Sequence, residues 1–233
     1  MHQPRDLRVL TSRSAARHIQ DLVESGEYPP GSKLPSQRDL SSLLNVSRAS
    51  LREALSVLET MGVLNTEPGL GTFVATSEPH EGQPAWRFSA RYSLREVYQF
   101  RFVAEGYAAR LAAMSMSDAQ IGTLRSVLNE HREAIRANDP VAGTEHDFEF
   151  HRLIMRYSEN AVFVDLHASY RTILLESQLL PTRRVERVWE PIVEHENILR
   201  TLEKRDPDGA SYFMHVHLAK AADRVGVVLN DAL

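Results

Sequence analysis

Two helical stretches separated by only two residues leave a chain few ways to fold. Ser36, after Pro35, has the make-up of a helix N-cap with Asp39 three residues on as its partner, and opens a helix predicted to reach about Leu44. Asn45-Val46 is the whole of the turn. Ser47 then caps a further helix, predicted to run to about Met61, with Leu51, Ala54, Leu55 and Leu58 as its buried stripe and Gly62 as its stop. Upstream, Ser12 to about Ser25 carries Ala15, Ala16, Ile19, Leu22 and Val23 at helical spacing, and the run Gly26 to Gly31, with its two prolines, ends that helix. Downstream, Val63–Thr66 and Thr72–Ala75 flank Glu67-Pro68-Gly69-Leu70-Gly71, the pattern of a β-hairpin with a glycine-rich tip. Helix, helix, tight turn, helix, hairpin is a winged helix-turn-helix.

The remainder of the 233 residues has another texture. Ser77–Tyr92, with Pro79, Gly82 and Pro84 and little periodicity, reads as a linker. From Ser93 onward helices are predicted near Leu94–Met114, Asp118–Asn138, Val141–Tyr157, Ala161–Leu180, Arg184–Arg205 and Asp208–Asn230. Breaks fall at Met116-Ser117, Asn138-Asp139-Pro140, Glu159-Asn160, Pro181 and Asp206-Pro207. The expected fold is therefore mostly α: a winged helix-turn-helix domain over 1–76, a linker over 77–92, and an all-α bundle of about six helices over 93–233. No apolar run approaches the ~18 residues of a membrane span, and Met1 to Asp6 lacks the apolar core of a signal peptide. The absence of cysteine removes disulfides, thiolate metal sites and thiol nucleophiles, and permits a cytoplasmic reading.

Overall charge gives no hint of nucleic acid. The net charge is −4; residues 1–76 hold 8 basic against 8 acidic side chains, and 77–233 hold 19 against 23. A DNA-binding reading must rest on where particular arginines sit. Arg48 and Arg52, four apart at the start of the helix capped by Ser47, share a face opposite Leu51, Ala54 and Leu55. A cation at a helix N-terminus costs about 0.3–1 kcal/mol, which a polyanion relieves. A recognition helix in a major groove meets that condition, with arginines pairing to guanine edges and phosphates. Arg38 could reach the backbone or a base edge, while Ala49 and Ser50 are small enough for close approach. The plainer alternative is a solvated surface, with Arg52 paired to Glu53 or Glu59.

Gly31-Ser32-Lys33-Leu34-Pro35-Ser36-Gln37-Arg38-Asp39-Leu40, Asn45-Val46-Ser47-Arg48, Leu51-Arg52-Glu53-Ala54-Leu55 and Gly69-Leu70-Gly71-Thr72-Phe73-Val74 closely resemble the DNA-binding domain of the GntR family of bacterial transcription regulators. The resemblance implies that Arg38, Arg48 and Arg52 contact DNA, with Ser47 and Ser50 at the helix start and Gly69 at the wing tip. Members commonly carry a basic residue or histidine at that tip. Here Glu67, Pro68 and Leu70 stand there, which leaves contact to the backbone amides of Gly69 to Gly71.

The second constellation is polar groups on apolar faces. Asp147 and His151 are four apart and flanked by Phe150 and Ile154; His195 lies in the stripe Ile192, His195, Leu199, Leu202; His217 lies in the stripe Ala210, Met214, His217, Ala221, Val225, Val228. His215 points elsewhere. Any one of these histidines alone would be an ordinary satisfied core residue. Burying a carboxylate without compensation is costly, and a divalent cation held by three imidazoles resolves it. Such a donor set suits Zn²⁺, Ni²⁺, Fe²⁺ or Mn²⁺.

Arg95 to Glu105, Asp147 to Arg152, Asn160, His195 and His217 resemble the FCD effector domain of the FadR subfamily of GntR regulators over about residues 93–229. The resemblance implies Asp147, His151, His195 and His217 as metal ligands, with Arg101 beside the open coordination positions to pair with an effector carboxylate. Metal-free members, including the acyl-CoA sensor that names the subfamily, lack this set, which points away from a fatty-acyl effector. The expected function is a homodimeric, ligand-responsive regulator that binds a short palindromic operator in double-stranded DNA, without a membrane and without catalysis. The alternatives are a metal-dependent hydrolase, for which no general base is evident (Glu149 points elsewhere), and a purely structural metal.

Overall fold

In the computed structural model, which describes residues 12–60, 63–67, 69–76, 86, 88–137, 139–179 and 187–229, the chain divides into two units, Met1–Ala85 and Trp86–Leu233. The first contains α1 (Ser12–Glu24), α2 (Gln37–Leu43), α3 (Arg48–Thr60), β1 (Leu64–Glu67) and β2 (Gly71–Val74). The apolar faces foreseen for the helices are buried together: Ala15, Ala16 and Ile19 of α1, Leu40 of α2, and Leu51, Ala54, Leu55 and Leu58 of α3. Ser36 accepts the Asp39 amide at 3.3 Å and donates to its carboxylate at 2.7 Å. Ser47 accepts the Ser50 amide at 3.0 Å. Asn45, at φ 50°, makes the two-residue turn possible, since asparagine tolerates the left-handed region. The hairpin pairs Leu64 with Val74 and Glu67 with Gly71, so Glu67 belongs to a strand rather than to the connecting tip. Leu34 adds a further edge through its amide to the Thr72 carbonyl at 2.8 Å.

The second unit contains α4 (Leu94–Ser115), α5 (Asp118–Arg136), α6 (Pro140–Tyr157), α7 (Ala161–Ser169), α8 (Arg171–Leu179), α9 (Glu190–Glu203) and α10 (Pro207–Arg224). Its helix starts are written in local chemistry. Ser93 with Glu96 and Ser117 with Gln120 form reciprocal capping boxes, and Asp139, Asn160 and Asp206 cap α6, α7 and α10.

Three expectations need correction. The helix foreseen over Ala161–Leu180 is two, with Tyr170 as the C-cap of α7, so the described residues hold seven helices here instead of six. α10 stops at Arg224, where Gly226 takes φ 76° and the Val227 amide returns to the Ala222 carbonyl; Val225 and Val228 therefore leave the His217 stripe, and Val228 is exposed. The end of the proposed linker is ordered structure: Trp86 is buried against Val97, Phe148 and Leu174, and its indole donates to the Tyr92 carbonyl. The rest of that linker (77–85 and 87), the Gly62 stop, the Asn138 and Pro181 breaks, the Arg184 helix start and Asn230 lie outside the described residues.

The bundle core runs along α4, whose Ala104, Ala108, Ala109, Ala112 and Ala113 keep the helix thin where its neighbours pack. Gly106 extends that logic. His215 of α10 stacks on Phe102 with ring centroids 3.9 Å apart and donates from Nε2 to the Phe102 carbonyl at 3.1 Å. A Cβ on Gly106 would stand 1.9 Å from that nitrogen. Gly106→Val is expected to destabilise the unit by about 1–3 kcal/mol through overpacking, read as a lower melting temperature; an unchanged melting temperature would mean the ring swings aside freely.

Candidate functional site

Asp147 and His151 come from α6, His195 from α9 and His217 from α10, and all four are buried. The structure brings them together. Single ring nitrogens of His151, His195 and His217 lie within 4.8 Å of one another. His195 Nε2 stands 3.3 Å from His151 Nε2 and 3.6 Å from Asp147 Oδ1. His215 stays outside the cluster, held by Phe102 as described above.

Around this group sits a shell that sequence reasoning missed. Glu105 Oε2 lies 2.5 Å from His151 Nδ1, and Glu194 Oε2 lies 2.8 Å from His217 Nδ1. Both carboxylates are buried, which alone would raise their pKa; charge and hydrogen bonds overcome it. Arg101 and His151 hold Glu105 below the usual carboxylate range. Hydrogen bonds from His217 and Arg224 bring Glu194 down to about 2. Burial in turn pushes His195 well below the ordinary imidazole value and lowers His217 despite the pull of Glu194. The His195 and His217 rings are thus neutral, and a carboxylate facing Nδ1 of His151 and of His217 accepts a proton carried there. Bare Nε2 lone pairs of His151 and His217 then share one pocket with the Asp147 carboxylate. A single proton on His195 cannot satisfy all three acceptors. That surplus of lone pairs fits a divalent cation, and the residues present could hold one through three imidazoles and one carboxylate.

Arg101 is at the site but not idle. Its Nε donates to Glu105 at 2.7 Å, its Nη2 reaches the same carboxylate at 3.4 Å, and its Nη1 reaches Ser177 Oγ at 3.3 Å. Its main structural task is to hold the carboxylate that faces His151, a partner that the sequence reading did not foresee. With five N–H groups available, two remain. It lines a cavity with His131, Asp147, Gln178, Arg187 and Arg224. That cavity leaves about 30 Å³ to the centres of water-sized molecules, within about 460 Å³ of space between atoms that includes its open mouth.

His131 of α5 was also missed, although it lies in the stripe Ile121, Leu124, Leu128 as visibly as His195 lies in its own. With Asp147 and His195 it forms a second group of three close ligand atoms. Glu105 had a signal too, four residues after Arg101 on one helical face. Glu194 had none, because adjacency to His195 suggests a different face.

Burial pushes His131 and His167 each down to about 4 from the usual 6.5. Between those values the unfolded chain takes up protons that the folded chain excludes. Stability present above pH 6.5 is therefore lost as pH falls towards 4, up to about 3 kcal/mol for each ring. Chelator-treated protein should show that decline in its denaturation midpoint. His131→Phe should flatten part of it; a midpoint level from pH 7 to 4 would contradict the reading.

In the first unit Arg38, Ser47, Arg48 and Arg52 are exposed, Ser50 is half-buried, and Gly69 is exposed at φ 79° beside an exposed Leu70. No ion pair forms on Arg38, Arg48 or Arg52 among the described residues. Glu59, one of the acids that could have paired Arg52, bonds to Thr66 of the hairpin instead. Three uncompensated guanidiniums thus project from the two helices of the helix-turn-helix.

Residues 11–74 match the family of bacterial regulatory proteins named gntR, and residues 96–220 match the FCD domain. The chain belongs to the GntR family, with an FCD effector domain. Among its relatives, this GntR protein is 28% identical over 215 residues to the uncharacterized regulator YcbG of Bacillus subtilis, covering 92% of this chain and 89% of that one. It is 29% identical over 214 residues to the regulator LutR of the same organism, covering 87% and 95%. The solved structure of E. coli McbR/YncC shares its fold with a TM-score of 0.55 at 18% identity, covering 94% of this chain and 99% of that one. The family matches and the relatives are transcription regulators and not enzymes, so the hydrolase alternative gives way. No helix among the described residues is long and apolar enough to cross a membrane.

Proposed function

We propose that this GntR-family regulator works as a cytoplasmic homodimer that reads a short palindromic operator and is switched by a small carboxylate at a divalent ion in its FCD domain. The observation that carries the reading is the surplus of buried lone pairs on His151, His217 and Asp147 around His195. The ion would supply a Lewis-acidic seat for an effector oxygen. Glu105 and Glu194 orient the His151 and His217 rings from behind, and Arg101 and Arg224 hold those carboxylates in place. The remaining N–H groups of Arg101, with Arg187 and Arg224, give the cavity a cationic lining suited to an anion. Two subunits would present two copies of α3 to successive major grooves. The wing contributes backbone amides from Gly69 to Gly71, with the Lys33 side chain packed beside Gly71. The effector must prefer one arrangement of the two domains, because equal affinity shifts no equilibrium; the segment 77–92 would transmit that preference.

The test combines metal analysis with DNA binding. Purified protein is expected to hold about one divalent ion per chain, from among Zn²⁺, Ni²⁺, Mn²⁺ and Fe²⁺, and to change operator affinity when a short carboxylate is added. Retention of the ion with no response to any carboxylate would favour a structural metal. Absence of any ion after loading would reject the site.

A further inference from the structure

The tip of the hairpin, Glu67-Pro68-Gly69-Leu70, has no basic residue. A cation reaches the foot of that tip from another segment. Lys33, four residues before the start of α2, bridges Phe73 of β2 in antiparallel fashion. The bridge is flanked by hydrogen bonds from the Leu34 amide to the Thr72 carbonyl and from the Val74 amide to the Ser32 carbonyl, each 2.8 Å. Facing and diagonal residues put their side chains on one side of a sheet, so Lys33 shares a face with Phe73 and Gly71. Its stem runs towards Gly71, at the tip end of β2. A Cβ on Gly71 would stand 2.7 Å from Lys33 Cε and 3.4 Å from Nζ. Gly71, at φ 126°, thus leaves the notch in which the lysine is seated.

The charge itself is left open. Lys33 is exposed and forms no ion pair among the described residues. Its Nζ stands 6.0 Å from the Phe73 ring centroid, at the outer limit of a cation–π contact. Glu67, the cross-strand partner of Gly71, is exposed and would repel a phosphate, a charge that the neighbouring ammonium offsets. Seating the stem against backbone fixes where the ammonium stands while leaving it in water. An ammonium is a compact point charge without the planar fork that reads guanine, so it suits a phosphate better than a base edge.

We infer that Lys33 makes the wing's contact with DNA phosphate, from beside the tip, where this chain has no tip cation. The inference rests on the DNA-binding reading above. It adds to the arginines of α2 and α3 a contact that is independent of base sequence.

The probe is a duplex selected from a random library by the full-length wild-type protein, with a scrambled duplex of equal length beside it. Fluorescence anisotropy across a salt series reads affinity and its slope on log salt. Lys33→Met, which keeps an apolar stem, should weaken binding to both duplexes by the same factor. That factor is about fivefold per bound chain at about 0.15 M salt, with the slope reduced by about 0.9 per bound chain. Lys33→Arg should retain both. Leu70→Lys in the Lys33→Met background should restore the slope by returning a cation to the wing; Leu70 is 60% exposed and can accept the change. Such a rescue separates lost charge from a damaged wing. Equal affinity and slope for Lys33→Met and wild type, or a loss confined to the selected duplex, would overturn the inference while leaving α3 as the reading helix. Failure of the wild type to select any duplex would remove both.

Discussion

Replacing Arg48 and Arg52 together with alanine should lower operator affinity by a hundredfold or more while leaving the fold intact or slightly more stable. Each arginine that pairs with a base edge or phosphate contributes about 1–3 kcal/mol, and neither side chain has an ion pair among the described residues to lose. Arg48 is the first residue of α3, so its charge opposes the helix dipole by about 0.3–1 kcal/mol in free protein. The opposite signs of the two effects are the diagnostic. Fluorescence anisotropy with operator DNA should show the loss, and thermal denaturation without DNA should show no fall. Arg38→Ala, as a backbone contact, should reduce the dependence of binding on log salt by about one unit. Undiminished operator binding by the double variant would defeat the assignment of α3 as the recognition helix.

His195→Ala should have the largest effect in the FCD domain, because His195 belongs to both groups of close donor atoms. The variant is expected to lose its metal in plasma emission analysis and to lose the melting-temperature difference between metal-loaded and chelated protein. At a free ion concentration a hundred times the Kd, that difference corresponds to about 2.7 kcal/mol in the wild type. His215→Ala is the control. Its ring lies against Phe102, outside the cluster, so metal content should not change. A His195→Ala protein that keeps a full complement of metal would refute the centre.

Most of the frame was readable before any coordinates. Caps at Ser36, Ser47, Ser93 and Ser117 mark helix starts through local backbone chemistry, which a linear sequence states directly. The convergence of Asp147, His151, His195 and His217 was readable because each interrupts an apolar face, and apolar faces have only one place to go. What was not readable depends on contacts between helices. Tyr170 ends α7 with no proline or glycine to announce it. Glu105 and Glu194 are acids on faces that could equally have met solvent, and only the packing of α4, α9 and α10 turns them towards His151 and His217. Arg101 lies beside the histidine cluster, and its engagement with Glu105 could not be told apart from freedom until Ser177 of α8 closed over it.

The shell formed by Glu105, Asp147, Glu194, Arg101 and Arg224 has three buried carboxylates against two buried guanidiniums. With neutral histidines its formal charge is −1, and a bound divalent ion makes it +1. A bound ion would thus reverse the sign of this buried shell, beneath a cavity lined by the guanidiniums of Arg101, Arg187 and Arg224. On the proposed reading, an anion drawn in by those arginines would bind more tightly once the ion is in place, and the regulator would answer its signal best in cells that keep the ion in supply.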